Sequence, residues 1–125
     1  MVVSMGIRSF TDLIAWKEGH KLVLSIYRIT NQFPQKEQFV LISQMTRAAI
    51  SITSNIAEGF SRRSRKESGQ FFYIALGSVT ELQNQLLIAR DMGYIGNKDF
   101  KIIADQTVVV SKLINGLIKS AKLQK

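Results

Sequence analysis

The chain has 125 residues, 46% of them hydrophobic, with one histidine, no cysteine and a formal net charge of +8. That suits a single domain with apolar material enough for its own core, and it excludes thiol catalysis, disulfides and the usual zinc ligand sets. The surplus of positive charge favours anionic partners, nucleic acid above all.

In chain order, residues 1–10 read as a flexible N-terminal segment, with Met5 an alternative start, and residues 11–125 as the folded domain. Ser4, Gly6 and Arg8 break the N-terminal run too early for a signal peptide. No later stretch approaches the roughly 18 apolar residues of a membrane span. A cytoplasmic protein without membrane association is expected.

The periodicity predicts four helices. Helix one runs from about Asp12 to Asn31, with Thr11 or Asp12 as N-cap, and Pro34 forbids its continuation. Helix two covers about Glu37 to Gly59, and residues 60–66 connect it to helix three, about Glu67 to Met92. Gly93 ends helix three in the left-handed region, and Asn97 caps helix four, about Lys98 to Lys122. Helices of this length span about 30 to 39 Å, which short connections do not cross, so successive helices must be antiparallel. The expectation is an all-α, up-down-up-down four-helix bundle. Its core rows are Leu41, Met45, Ala48, Ile52 and Ile56 on helix two and Phe71, Ala75, Leu82, Leu86 and Ala89 on helix three. Helix four adds Ile102, Val109, Leu113 and Leu117.

Helix one carries more apolar surface than one core requires. Leu13, Trp16, Val23, Leu24 and Tyr27 lie on one side and Leu22, Ile26 and Ile29 on another, an arc of roughly 200° where about 100° suffices. Phe39, Ile50 and Ala57 give helix two a similar excess. We read the surplus as a subunit interface of a homo-oligomer; the alternative is a tightly packed monomer with the excess under its loops.

Helix two also bears a polar stripe, Gln44, Arg47, Ser51, Ser54, Asn55 and Glu58, at three- and four-residue steps. Such a stripe holds a ligand or a facing helix, or it pairs with Glu81 and Gln85 of helix three to fix register; the second reading is preferred, because buried polar groups need partners in any case. Gly77-Ser78 in mid-helix suggests a close helix approach. His20, beside Trp16 and Tyr27, reads as a packed side chain rather than a ligand. No Glu-x-x-His pair exists for a di-iron site, and Glu58 with Glu81 is too small a cast for acid–base chemistry. The chain is therefore expected to be neither an enzyme nor a metal or cofactor protein.

The excess charge is concentrated in two places. Arg62, Arg63, Arg65 and Lys66 stand against Glu67 alone, a net of +3, and Lys112, Lys119, Lys122 and Lys125 follow the last acid, Asp105. Guanidinium groups on an adaptable connection suit bidentate phosphate contacts. The competing reading is a solvated turn in which Ser64 or Ser68 caps helix three. The C-terminal lysines are weaker evidence, since a helix C-terminus favours cations by its dipole alone.

The run Arg47 to Gly59 followed by Arg62-Arg63-Ser64-Arg65-Lys66-Glu67 resembles the four-helix-bundle family encoded in intervening sequences of bacterial 23S rRNA genes. Phe10 to Leu13 with Trp16, Thr30 with Phe33-Pro34, Tyr73 to Ser78, and Glu81-Leu82 with Gln85-Leu86 extend the likeness over about residues 7–120. Leu76 departs from it, since a charged residue is frequent there. The resemblance implies an antiparallel bundle assembled as a homo-oligomer, typically a pentameric ring, with no established enzymatic activity. A related branch of such bundles, the accessory proteins of diversity-generating retroelements, implies a basic ring that binds nucleic acid and a reverse transcriptase. The leading expectation is a homo-oligomeric basic scaffold for RNA or DNA, with a protein partner as a further possibility; the alternative is a structural or protein-interaction module without a nucleic-acid ligand.

Overall fold

The structure, a computed structural model, describes residues 6–123. The first five positions of the expected N-terminal segment, Met5 among them, and Lys125 of the C-terminal lysine group lie outside the described residues. Four helices make up the fold: α1 (Ile14–Thr30), α2 (Leu41–Ser61), α3 (Arg65–Asp91) and α4 (Asn97–Leu123), with 3-10 turns at Phe10–Asp12 and Gln35–Glu37. Each helix packs on the next, and α4 closes back on α1. Contacts run in opposite directions along each successive pair: between α1 and α2, Gly19 lies beside Thr53 and Ile56, and Thr30 shares a groove with Ile42 and Thr46. Ser51 meets Ser78 and Gly59 meets Phe72 between α2 and α3; Arg90 meets Phe100, Gln83 meets Thr107 and Tyr73 meets Lys122 between α3 and α4. The four helices therefore form the expected up-down-up-down bundle.

The core row expected on α2 is buried throughout, and so are Ala75, Leu82, Leu86 and Ala89 of α3. Two assignments shift by one residue. Phe72, not Phe71, fills the core from α3, and α4 buries Ile103, Val110, Ile114 and Ile118; of the positions expected there, Ile102 and Val109 are exposed, while Leu113 and Leu117 pack against the core half-buried. The cause on α4 is doubled apolar positions: Ile102-Ile103, Val109-Val110, Leu113-Ile114 and Leu117-Ile118 offer two adjacent rows about 100° apart, and packing alone selects between them.

Helix ends follow their local chemistry. Ser9, not Thr11 or Asp12, is the first cap: its hydroxyl accepts from the Thr11 amide, while the Asp12 carboxylate accepts from the amides of Arg8 (2.9 Å) and Ser9 (3.3 Å). Ile7 and Phe10, on either side of it, pack against the core. Helix α2 starts at Leu41 instead of Glu37, because the chain makes a 3-10 turn after Pro34 and leaves helical geometry at Val40 (φ −119°, ψ −95°). At its far end α2 continues through Gly59 to Ser61, and α3 begins at Arg65 under the cap of Ser64, whose hydroxyl accepts from the Glu67 amide. The expected connection of residues 60–66 is thus only Arg62, Arg63 and Ser64. Gly93 ends α3 as expected, at φ +81°, with its amide donating to the Arg90 carbonyl and that of Tyr94 to the Ala89 carbonyl, the two bonds of a Schellman motif. Asn97 is the first residue of α4 rather than its cap, since the Gly96 carbonyl already accepts from Phe100.

The connections at one end of the bundle are tied together. The Tyr94 hydroxyl donates to the Glu37 carboxylate at 2.8 Å, and the Tyr94 ring lies 5.4 Å from that of Phe33. The Glu37 bond holds the phenol's pKa above its ordinary value. A raised folded-state pKa means that this stabilisation is full below about pH 10 and is lost as pH rises through the folded value. Replacing Tyr94 with Phe should lower the melting temperature at pH 7 and make stability less dependent on pH above 10 than in the parent, as read by thermal unfolding across pH 7–11.

The close helix approach expected at Gly77 occurs elsewhere. A Cβ on Gly77 would meet nothing within 4 Å, whereas one on Gly59 would lie 2.5 Å from the buried Phe72 ring. Gly59→Ala should destabilise by about 1–3 kcal/mol through forced displacement of that ring, and Gly77→Ala should stabilise by about 0.5–1 kcal/mol through helix propensity. Urea unfolding of the two variants checks the pair of opposite signs.

Candidate nucleic-acid interface

The α2–α3 corner and the end of α4 lie at the opposite end of the bundle from Tyr94. There Arg63, Ser64, Arg65 and Lys66 form one wall of a cleft of about 790 Å³, and Lys122 of α4 stands on the other. Gly69, Gln70 and Tyr73 continue the α3 side, and Ile118 and Ala121 give it an apolar floor. The fold thus unites two groups of cations that are more than fifty residues apart in the chain. The Lys122 ammonium lies 5.5 Å from the centre of the Tyr73 ring, and Tyr73 is 49% exposed.

The four cations of the basic segment do not share one environment. Arg63 and Lys66 are exposed, and Arg65 is half-buried on the first turn of α3. Arg62 turns back onto α2, where its guanidinium pairs with Glu58 at 2.6 Å and lies 4.5 Å over the Phe71 ring, and it does not line the cleft. Lys112 and Lys119 are exposed on α4 outside the cleft. Arg63, Arg65, Lys66 and Lys122 are therefore the cations brought together. The meeting of Lys122 and Tyr73 with the basic segment escapes a linear reading of the charge, but antiparallel pairing away from the Gly93 turn places the start of α3 beside the end of α4.

The polar stripe divides in the same way. The Ser51 and Ser78 hydroxyls bond at 2.8 Å, and the Asn55 amide donates to the Ser51 carbonyl and hydroxyl at 2.8 and 3.1 Å. This is the register-fixing role expected for the stripe, although the partner on α3 is Ser78 and not Glu81, which is exposed. Gln85 is buried, but it makes none of the pairing expected with the stripe, and its Oε1 has no hydrogen-bond partner among the described residues. Gln44, Arg47 and Ser54 face outward, and Glu58 serves Arg62. His20 is exposed and stacks on Trp16, ring centres 4.8 Å apart.

Most of the wide apolar arc expected on helix one is covered within the chain: Leu13, Leu22, Val23, Ile26 and Ile29 are buried and Trp16 packs against the core, while Leu24 and Tyr27 stay about half exposed. At the end of the bundle away from the cleft, Tyr27, Phe39 and Ile42 line a groove of about 640 Å³, and Phe39 is 91% exposed. Among the described residues, no helix is long and apolar enough to cross a membrane.

The fold matches a solved structure. A crystal structure from Bacteroides thetaiotaomicron VPI-5482, described as a protein of unknown function from the S23 ribosomal protein family, superposes with a TM-score of 0.79 at 22% identity, covering 85% of this chain and 99% of that one. That likeness speaks to fold alone. No curated protein matches the chain. The sequence pattern of the 23S rRNA-intervening sequence proteins matches residues 11–116, from the first 3-10 turn to the last third of α4, and the chain belongs to that family.

Proposed function

We propose that this protein is a non-enzymatic, homo-oligomeric scaffold that binds nucleic acid through its basic corner. The observation that carries the reading is the meeting of Arg63, Arg65 and Lys66 with Lys122 around one cleft. Four cations gathered on one concavity, in a chain of net charge +8, make a local field that attracts a polyanion and that a dispersed set would not. The adjacent acid, Glu58, is already neutralised by Arg62. Guanidinium groups also match phosphate oxygens in fork geometry, so the corner suits a backbone better than a single carboxylate.

Oligomerisation is supported by the half-exposed Leu24 and Tyr27 on α1 and by the groove beside Phe39, a large apolar side chain that is 91% exposed among the described residues. The count of five rests on the family resemblance. Repetition around a ring multiplies the basic corner, and several weak phosphate contacts on one strand act together.

Affinity for RNA or DNA should fall steeply between about 50 and 200 mM salt, with a logarithmic slope near 0.7–0.9 per phosphate neutralised. Replacing Arg62, Arg63, Arg65 and Lys66 together with Ser should abolish binding, and Arg62→Ser alone should cost less than Arg63→Ser, because Glu58 and Phe71 already hold Arg62. Salt-independent binding, or none at low salt, overturns the nucleic-acid reading in favour of a protein-interaction module. Sedimentation at micromolar concentration should give several protomer masses, five on the ring reading, and Phe39→Asp should shift the protein towards smaller species; a monomeric parent refutes the oligomer.

A further inference from the structure

The cleft holds more than charge. Around a purely electrostatic site a flat cationic surface would suffice, yet this open cleft adds an apolar floor at Ile118 and Ala121 and a half-exposed aromatic ring on its wall. We propose that the cleft selects single-stranded nucleic acid, taking one unpaired base onto the Tyr73 ring while Arg63, Lys66 and Lys122 hold the flanking phosphates. The proposal rests on the nucleic-acid reading above and names its ligand class.

The chemistry separates the two forms of ligand. In a duplex each base has both faces covered by its neighbours and presents only its edge in a groove, so a duplex lying across the cleft touches the rim cations and leaves the ring and floor wet. An unpaired base offers a π-face that any aromatic side chain can stack on, irrespective of sequence. A volume of about 790 Å³ is within the range of pockets that enclose small organic ligands, and so suits a single nucleotide unit.

Two details fit this occupant. The Lys122 ammonium lies over the ring in the free protein, 5.5 Å from its centre. An exposed cation–π contact of that kind is weaker than base–aromatic stacking, so a base displaces it, and the flexible lysine stem carries the charge to the phosphate beside that base. Gly69, one turn before Tyr73, keeps the α3 wall low, and a Cβ there would meet its nearest neighbour, Ala121, at 4.0 Å. A Cβ at this position is therefore accommodated, and because Gly69 lines the cleft, bulk added beyond it takes up cleft volume.

The test is fluorescence anisotropy of the full chain with a labelled oligouridine of about 12 nucleotides and with an RNA duplex of equal length, at low salt. The parent should prefer the single strand. Tyr73→Ala should weaken oligouridine binding by about 5- to 150-fold, the range of one base–aromatic stack, and leave duplex binding unchanged. Tyr73→Phe should retain the preference, since the ring and not the hydroxyl is the platform. Gly69→Leu, which keeps every charge and the ring but fills the cleft, should lose it as Tyr73→Ala does; unchanged thermal unfolding of each variant shows that the fold is intact. Equal binding of both probes by the parent, or an unchanged oligouridine affinity in Tyr73→Ala, overturns this inference and leaves the nucleic-acid reading standing. Failure to bind either probe overturns both.

Discussion

The bundle depends on how closely α2 and α3 approach at their shared corner. Phe72 lies where a side chain on Gly59 would otherwise be, with its ring 1% exposed, so the end of α2 and the start of α3 close on each other with no room for a Cβ. One turn on from Gly59 the chain must reverse within Arg62, Arg63 and Ser64. The brevity of that reversal keeps the cations at the bundle's end instead of on a long, mobile loop. Further along the pair, the bonded hydroxyls of Ser51 and Ser78 fix the same register with polar groups. From that corner α3 runs the length of the bundle to Gly93, and α4 returns to deliver Lys122 beside Tyr73.

What the sequence made legible follows from which physical signals are local. Gly93 was readable because a left-handed C′ residue is a property of one position, and Ser64 because a capping hydroxyl acts three residues away. The start of α2 was not, since nothing near Glu37 forbids a helix; instead Glu37 sits in the turn after Pro34, where its carboxylate accepts from the Leu41 amide and from the Tyr94 hydroxyl, 57 residues on. The rotation of α4 was equally hidden. Where Val109 and Val110 stand side by side, the pattern says only that the helix is apolar, and the choice belongs to the shape of the other three helices. Gly77 misled for a related reason: glycine within a helix signals either close packing or simple tolerance, and only the neighbouring helix distinguishes Gly59 from Gly77.

The candidate site was half legible. Its basic wall is a run of adjacent residues and stands out in one dimension; its floor and opposite wall come from α4, and their place depends on helix pairing. The division within the run was invisible too. Arg62 and Arg63 are neighbours of the same type, but the helical position of Glu58 four residues earlier captures the first and leaves the second exposed. Composition located the charge, and only the packed structure shows which charges are already satisfied by the protein itself.

Helix electrostatics adds a last distinction among those cations. Arg62 caps the C-terminus of α2 and Lys122 lies in the last turn of α4, both positions where the helix dipole favours positive charge, so stability alone accounts for them. Arg65 and Lys66 are in the first turn of α3, where the dipole's positive end opposes them and Glu67 is the acid of that turn. A stretch chosen for helix stability would carry acids there. Departures from local preference of this kind concentrate where a protein binds something, and a polyanion placed across the α3 N-terminus removes the conflict by answering the two cations and the dipole together. On the proposed nucleic-acid function, these are the residues that a bound phosphate backbone would answer first.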